Sequence, residues 1–201
     1  MLDAPGHPVP CGRHRVKRHR EHLDLSTVTG LVFDLPHAPW VGDVMRLRAA
    51  YDPVRLRFPV EITVVGSSGL GWFSDGISRT QLAREIRAIA KAFSPIHFRF
   101  NCVACFPGSA VYHMAPADGS PFHEFQRRIA VCGLSFEPTP YSDAPHCTIA
   151  EVSRDVARSA HGDLMDFRVP QHDIQVASVS IFTLETDARK CYQHERIGLG
   201  V

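Results

Sequence analysis

Hydrophobic positions along the chain switch between a period of two and a period near 3.6, and the switches divide it into strands and helices. Thr29 to Pro36 reads as a strand ended by proline. Trp40, Val44, Leu47 and Arg48 fall at helical spacing, which predicts a short amphipathic helix over Val41 to Tyr51, stopped by Asp52-Pro53. Phe58 to Val65 is the next strand, and Gly66 to Gly71 follows as a flexible connection without the Lys-Ser/Thr end of a nucleotide-triphosphate loop. Ser78 to Phe93 carries the clearest helical stripe (Leu82, Ile86, Ile89, Phe93), with Ser78 as N-cap and arginines on the outer face. His97 alternates onward to Phe106 as one strand, Pro107-Gly108 turns, and Ala110 to Ala115 completes a hairpin. Ser120 to Cys132 predicts a third helix, with Ser120 as N-cap, Pro121 at the first helical position and Phe122, Phe125, Ile129 and Cys132 inward. Pro138 to Pro145 is a rigid link into a strand over 144–150. A short helix over Ser153 to Ala160, a long strand over Ile174 to Leu184 and a partner strand over Cys191 to Ile197 complete the chain.

Interleaved helices, strands and hairpins predict an α+β fold rather than a doubly wound parallel sheet. The two halves repeat the order strand-helix-strand-helix-strand. A chemical echo goes with it. In Ala144-Pro145-His146-Cys147-Thr148-Ile149, side chains alternate, so His146 and Thr148 share one face while Cys147 and Ile149 share the other. An imidazole beside a hydroxyl on a rigid strand suits work on a phosphate: one moves a proton and the other holds an oxygen. In the first half, Glu61-Ile62-Thr63-Val64 has the same shape, and Thr63 and Thr148 lie 85 residues apart. Pro59 and Pro145 precede the two strands, one residue out of step.

This pairing resembles the 2H phosphoesterase superfamily, the 2'-5' RNA ligase-like and cyclic phosphodiesterase proteins, marked by two His-x-Thr/Ser-apolar motifs, one per lobe. The second motif is present as His146-Cys147-Thr148-Ile149; the first has Glu61 in place of histidine. The resemblance implies a bilobal duplicated domain over 25–201, with lobes roughly 25–105 and 106–201 and room for the termini to cross. Two antiparallel sheets would flank a central cleft, with helices outside. It also implies a nucleotide or RNA phosphodiester ligand, commonly a 2',3'-cyclic phosphate, handled by acid–base chemistry with no metal or other cofactor. The catalytic set would be His146, Thr148, Glu61 and Thr63.

The carboxylate leaves three readings open. Glu61 is a substitute base with His146 as the acid; or the chain is a catalytically impaired relative that binds RNA or nucleotide without turnover; or the two strands match by coincidence. Further candidates for the cleft are Tyr112 and His113 on the strand expected to pair near the second motif, Tyr141 as a base-stacking ring, and Arg154 as a phosphate partner. The resemblance also implies an arginine soon after the second motif, where Glu151 stands. A reading of another class is structural zinc: Cys102-Val-Ala-Cys105 has ligand spacing and Cys191-Tyr-Gln-His194 would close a four-ligand site. An extended segment, however, points the first two cysteines to opposite faces.

Composition narrows little beyond this. At 201 residues and 22.4 kDa, 44% hydrophobic and 21% charged, the chain can bury a core. No apolar run is long enough to span a bilayer, no signal peptide opens the chain, and six scattered cysteines suit a reducing, cytoplasmic setting. The net charge is +1, but Arg13 to His22 concentrates five Lys/Arg against one acid, leaving 17 basic and 20 acidic residues elsewhere. Residues 1–24 are therefore expected to be a basic, flexible leader, and no membrane partner is expected. The pattern specifies no oligomeric state.

Overall fold

The computed structural model describes residues 27–35, 38–186 and 190–201. The basic leader and the strand-ending Pro36 lie outside them. The elements are β1 (Thr27–Asp34), α1 (Pro39–Tyr51), a 3-10 turn (Arg55–Arg57), β2 (Glu61–Val65), β3 (Trp72–Phe73), α2 (Arg79–Lys91), β4 (Ile96–Phe98), β5 (Phe100–Cys105) and β6 (Val111–Pro116). Then follow α3 (Ser120–Ala130), β7 (Phe136–Glu137), β8 (Cys147–Glu151), α4 (Arg154–Met165), β9 (Ile174–Val176), β10 (Ser178–Glu185) and β11 (Lys190–Gly198).

The fold is α+β and all its strand pairs are antiparallel. Six strands form one sheet in the order β11-β10-β1-β3-β7, with β2 also on β1; β5-β6-β8 form a second. A third, two-stranded sheet (β4-β9) was not expected. It arises because both long predicted strands are cut. His97–Phe106 breaks at Arg99, whose carbonyl accepts from Ala117 N, and Ile174–Leu184 breaks at Ala177, whose carbonyl accepts from Leu199 N. At each break the chain passes from one sheet to another; the apolar alternation runs on through Arg99 (Ile96, Phe98, Phe100), whereas at Ala177 it changes phase, from Ile174 and Val176 to Val179 and Ile181. Residue 105 is not a boundary between sheets: β5 pairs with β6, and β10 and β11 return to β1.

The core fills the space between sheets and helices. Phe33 of β1 packs edge-on and tilted against Phe122 and Phe125 of α3, at 5.1 and 5.0 Å between ring centroids. Helix α2 begins as predicted, with Ser78 Oγ accepting from Gln81 N, and buries Leu82 and Ile86. Helix α3 starts one residue earlier than expected: Gly119 is the cap, and Ser120 N donates to Asp118 Oδ1. Among the described residues, no helix is long and apolar enough to cross a membrane.

Helix α1 sets up the site. Its stripe of Trp40, Val44 and Arg48 is buried, so an arginine lies where the pattern calls for an apolar residue. The reason is the edges beside it. β2 pairs with β1 and β8 with β6, and the two strands approach each other without pairing. Backbone carbonyls at such a junction need donors. Arg48, only 1% exposed, supplies them. It donates to Thr148 O (2.7 Å) and Ile149 O (3.1 Å) on one side, and to Phe58 O (2.9 Å) and Pro59 O (3.1 Å) on the other. Asp52, at the end of the same helix, provides the opposite polarity: its carboxylate accepts from Glu151 N (2.7 Å) and Arg55 N (3.0 Å). The two motif strands are thus locked together through α1.

Candidate functional site

Between the two larger sheets lies a cleft of about 930 Å³. Glu61, Thr63, His146 and Thr148 all line it, as does Tyr141, which is 69% exposed at its rim. Alternation places them there. Ile62, Cys147 and Ile149, the intervening residues, are wholly buried on the other side. Burial pushes the Cys147 thiol up to about 12, so it is inert.

His146 precedes β8 by one residue. Its Nδ1 lies 2.8 Å from Ala144 O. A carbonyl only accepts, so the proton is on Nδ1 and Nε2 keeps its lone pair. The ring meets Phe106 edge-on (4.9 Å) and His113 at 5.4 Å between centroids. This burial holds its pKa below the usual imidazole range; the Ala144 carbonyl opposes the shift, and His113 and Arg55 add to it.

Glu61 is half-buried at the start of β2, with Thr63 Oγ1 donating to both carboxylate oxygens at 3.1 and 3.3 Å. Desolvation raises its pKa to about 7, against the pull of Arg55, Arg48 and the Thr63 hydroxyl. Asp34, its cross-strand partner on β1, adds to the rise.

The other predicted residues do not line the cleft. Tyr112 is buried, and its hydroxyl lies 3.0 Å from His161 Nδ1 on α4. His113 is buried and stacked on Phe106 at 3.9 Å, so Phe106 lines the cleft in its place. Tyr112, His113 and Met114 are buried in succession, with a register shift between the first two. Arg154 is exposed in the first turn of α4 and is not among the cleft residues. The proposed zinc ligands do not meet. Cys102 and Cys105 lie on β5, where the Cys105 thiol donates to backbone carbonyls, whereas Cys191 and His194 lie on β11 in the other sheet. Among the described residues, no group of three or more His, Cys, Asp or Glu is placed to hold a metal ion.

Several cleft residues were not foreseen. Arg55 lines it from the 3-10 turn, paired with Glu151 at 2.9 Å and with Asp52 at 3.6 Å. Trp72 and Phe182 form an aromatic wall, their rings edge-on at 6.0 Å. The Gly66–Gly71 connection, by contrast, was expected to be flexible and to border the cleft; it does border it but is pinned, with Ser67 O accepting from Thr139 Oγ1 (2.6 Å) and Ser142 O from Gly69 N (3.3 Å). Gly71 needs to be glycine, since its φ is +86° and a Cβ there would lie 1.9 Å from Glu137 O. One signal for this part of the site was available: the basic run Val54-Arg55-Leu56-Arg57 sits directly before the first motif strand.

Two sheets presenting equivalent edge strands to a shared cleft are the defining feature of this α+β fold. Solved structures share it. The crystal structure of Escherichia coli LigT complexed with 3'-AMP aligns over 87% of this chain and 99% of its own, with a TM-score of 0.53 at 14% identity. LigT complexed with NADP+ gives 0.55 at 13% identity over 87% and 99%. TT0787 of Thermus thermophilus gives 0.56 at 13% over 86% and 98%. No curated protein sequence matches significantly. The family model for the 2'-5' RNA ligase superfamily matches residues 34–188, and the chain belongs to that superfamily.

Proposed function

We propose that the chain is a phosphoesterase of a nucleotide or RNA phosphodiester, with a 2',3'-cyclic phosphate as the substrate to test, and that it works through a pair made of His146 and Glu61. The observation that carries the reading is the placement of the pair: the two motif strands bring His146 and Glu61 to one cleft, the first with Nδ1 against the Ala144 carbonyl and the second beside the Thr63 hydroxyl, in surroundings that push their protonation apart. His146 has its Nδ1 proton committed to Ala144 O and a lowered pKa, so near neutral pH it is neutral, with the Nε2 lone pair available to accept a proton. Glu61, raised to about 7, stays partly protonated near neutral pH, where an ordinary carboxylate is fully ionised. The roles are therefore the reverse of the simplest sequence expectation: His146 is the base and Glu61 the acid.

Nε2 of His146 takes a proton from water as its oxygen attacks phosphorus. Glu61 gives its proton to the departing ribose oxygen as that P–O bond breaks. The histidine proton and the carboxylate vacancy are then exchanged with solvent. Thr148 and Thr63 are the hydroxyl partners of the non-bridging oxygens, and a base stacks on Tyr141 at the rim. That LigT crystallises with 3'-AMP, NADP+ and ATP supports a nucleotide as ligand.

A binding-only relative is favoured by one observation: the Thr63 hydroxyl is already engaged by Glu61 and must turn to serve a phosphate. Hydrolysis of a panel of nucleoside 2',3'-cyclic phosphates without added metal, by wild type, His146→Ala and Glu61→Gln, decides between them. Turnover abolished by both substitutions is the expected result. Absence of turnover in wild type favours binding alone, and turnover indifferent to both changes removes this pair from the chemistry.

A further inference from the structure

Among the described residues the cleft is short of positive charge. Arg55 is the one Lys or Arg among its lining residues in the described chain, and it shares the cleft with Asp52, Glu61 and Glu151. An anionic phosphate entering such a site needs a cation and meets carboxylates.

We propose that Arg55 is the phosphate-gripping residue of the cleft and that Glu151 is its carboxylate place-holder, displaced when a phosphate binds. This rests on the reading of the cleft as a phosphodiester site.

Arg55 is built in rather than adventitious. Its backbone N–H donates to the buried Asp52 carboxylate, which also takes the N–H of Glu151 at the end of β8, so the turn that bears Arg55 is tied to the second motif strand. Its side chain is 24% exposed, and its charge acts on Glu61 and His146 alike, one from each strand. The guanidinium is also held in a compromise. Nη2 donates to Glu151 Oε2 at 2.9 Å, while the buried Nε stops 3.6 Å from Asp52 and has no hydrogen-bond partner. Freed from Glu151, the fork can turn to satisfy Nε on Asp52 and offer its outer nitrogens to phosphate oxygens. Glu151 can leave at low cost, because its side chain is 60% exposed and water replaces the lost contact. One carboxylate leaves as one phosphodiester anion arrives, so the charge beside Arg55 is conserved.

Titration calorimetry with adenosine 3'-monophosphate, and with adenosine as the uncharged control, tests this on wild type, Arg55→Met, Arg55→Lys and Glu151→Gln, each checked for an intact thermal transition. Arg55→Met is expected to lose about 10- to 100-fold in affinity for the nucleotide, with adenosine unaffected. Arg55→Lys should recover part of the loss. Glu151→Gln removes the competitor and is expected to bind the nucleotide about 3- to 10-fold more tightly. Wild-type affinity in Arg55→Met overturns the grip while leaving the proposed function standing. Unchanged or weaker binding by Glu151→Gln overturns the place-holder, and that variant alone decides the matter should Arg55→Met fail to fold. A wild type that binds no nucleotide overturns both this proposal and the function on which it rests.

Discussion

The two motif strands are alike in frame and unlike in chemistry. Each is an edge strand with a proline just before it, and each turns residues i and i+2 toward the cleft. At β8 the titratable group is an imidazole fixed from below by the Ala144 carbonyl and walled by Phe106 and His113. At β2 it is a carboxyl group fixed by Thr63 of its own strand, with Asp34 alongside. Burial acts on both, but it disfavours charge, so it makes the histidine less willing to hold a proton and the glutamate more willing. The same physical cause thus drives the two groups into complementary states. An acid–base pair requires only that the two sides differ in protonation, and a carboxyl group opposite an imidazole meets that requirement as directly as two histidines do.

The largest expected effect comes from removing either side. His146→Ala and Glu61→Gln should each lower kcat by about 10²- to 10⁴-fold. The pH profile separates them. On the proposed mechanism, wild-type activity is expected to rise as His146 loses its proton, below the usual imidazole range, and to fall as Glu61 ionises at about 7, giving a bell. His146→Ala should remove the acidic limb from the residual rate and Glu61→Gln the basic limb. A profile in which Glu61→Gln keeps the basic limb would assign that limb to another group.

Next in size is the lock between the strands. Arg48→Met keeps much of the side-chain volume but leaves four close carbonyl acceptors, two on each side, without their donor. A loss of about 3 kcal/mol in unfolding free energy is expected, measured by chemical denaturation. A loss well under 1 kcal/mol would mean that water serves those carbonyls equally well.

This lock also marks the limit of what the sequence discloses. The motif residues were legible because strand alternation and the His-x-Thr pattern are local. Arg48 was visible as a member of a helical stripe, yet those four carbonyls lie 10 to 101 residues away in sequence. Nothing local distinguishes a buried arginine from one at the edge of an apolar face. Arg55 was missed for the same reason: a basic run before a strand is ordinary until Glu151 is folded against it. The break at Arg99 left no trace, because alternation of apolar residues reports which face is buried and not which sheet buries it, whereas the change of phase between Val176 and Val179 marks the break at Ala177. Tyr112 was assigned to the cleft from its strand alone, whereas the register shift beside it turns its hydroxyl to α4.

A third effect is on stability and follows from linkage. The folded-state pKa of Glu61, about 7, lies above its ordinary 4.5, so the folded protein holds this proton more tightly than the unfolded chain. The contribution is fully present below the unfolded value and is lost as pH rises through about 7. Glu61→Gln removes the ionisable group, so near pH 8 it should be more stable than wild type by roughly 1–2 kcal/mol, the half-buried position reducing the full linkage value. At about pH 5 the two should differ little. Equal stabilities at both pH values would place the Glu61 pKa in the ordinary range and remove its claim to act as an acid.

The smallest effect sharpens the comparison most. Thr63 and Thr148 occupy the same place in the two strands, but only Thr63 donates to the titratable group beside it. That hydrogen bond favours the ionised carboxylate and holds the Glu61 pKa down. Thr63→Val keeps the shape of the side chain and removes the donor, so Glu61 should hold its proton to higher pH. The basic limb of the activity profile is expected to move upward by a fraction of a unit, along with a rise in KM of about 3- to 10-fold for the lost phosphate contact. Thr148→Val should raise KM by a similar factor and leave the limb in place. A limb that moves in both variants would show that the two hydroxyls act through the substrate alone. A limb that moves in Thr63→Val only assigns it to Glu61 by a second route, independent of the Glu61→Gln profile.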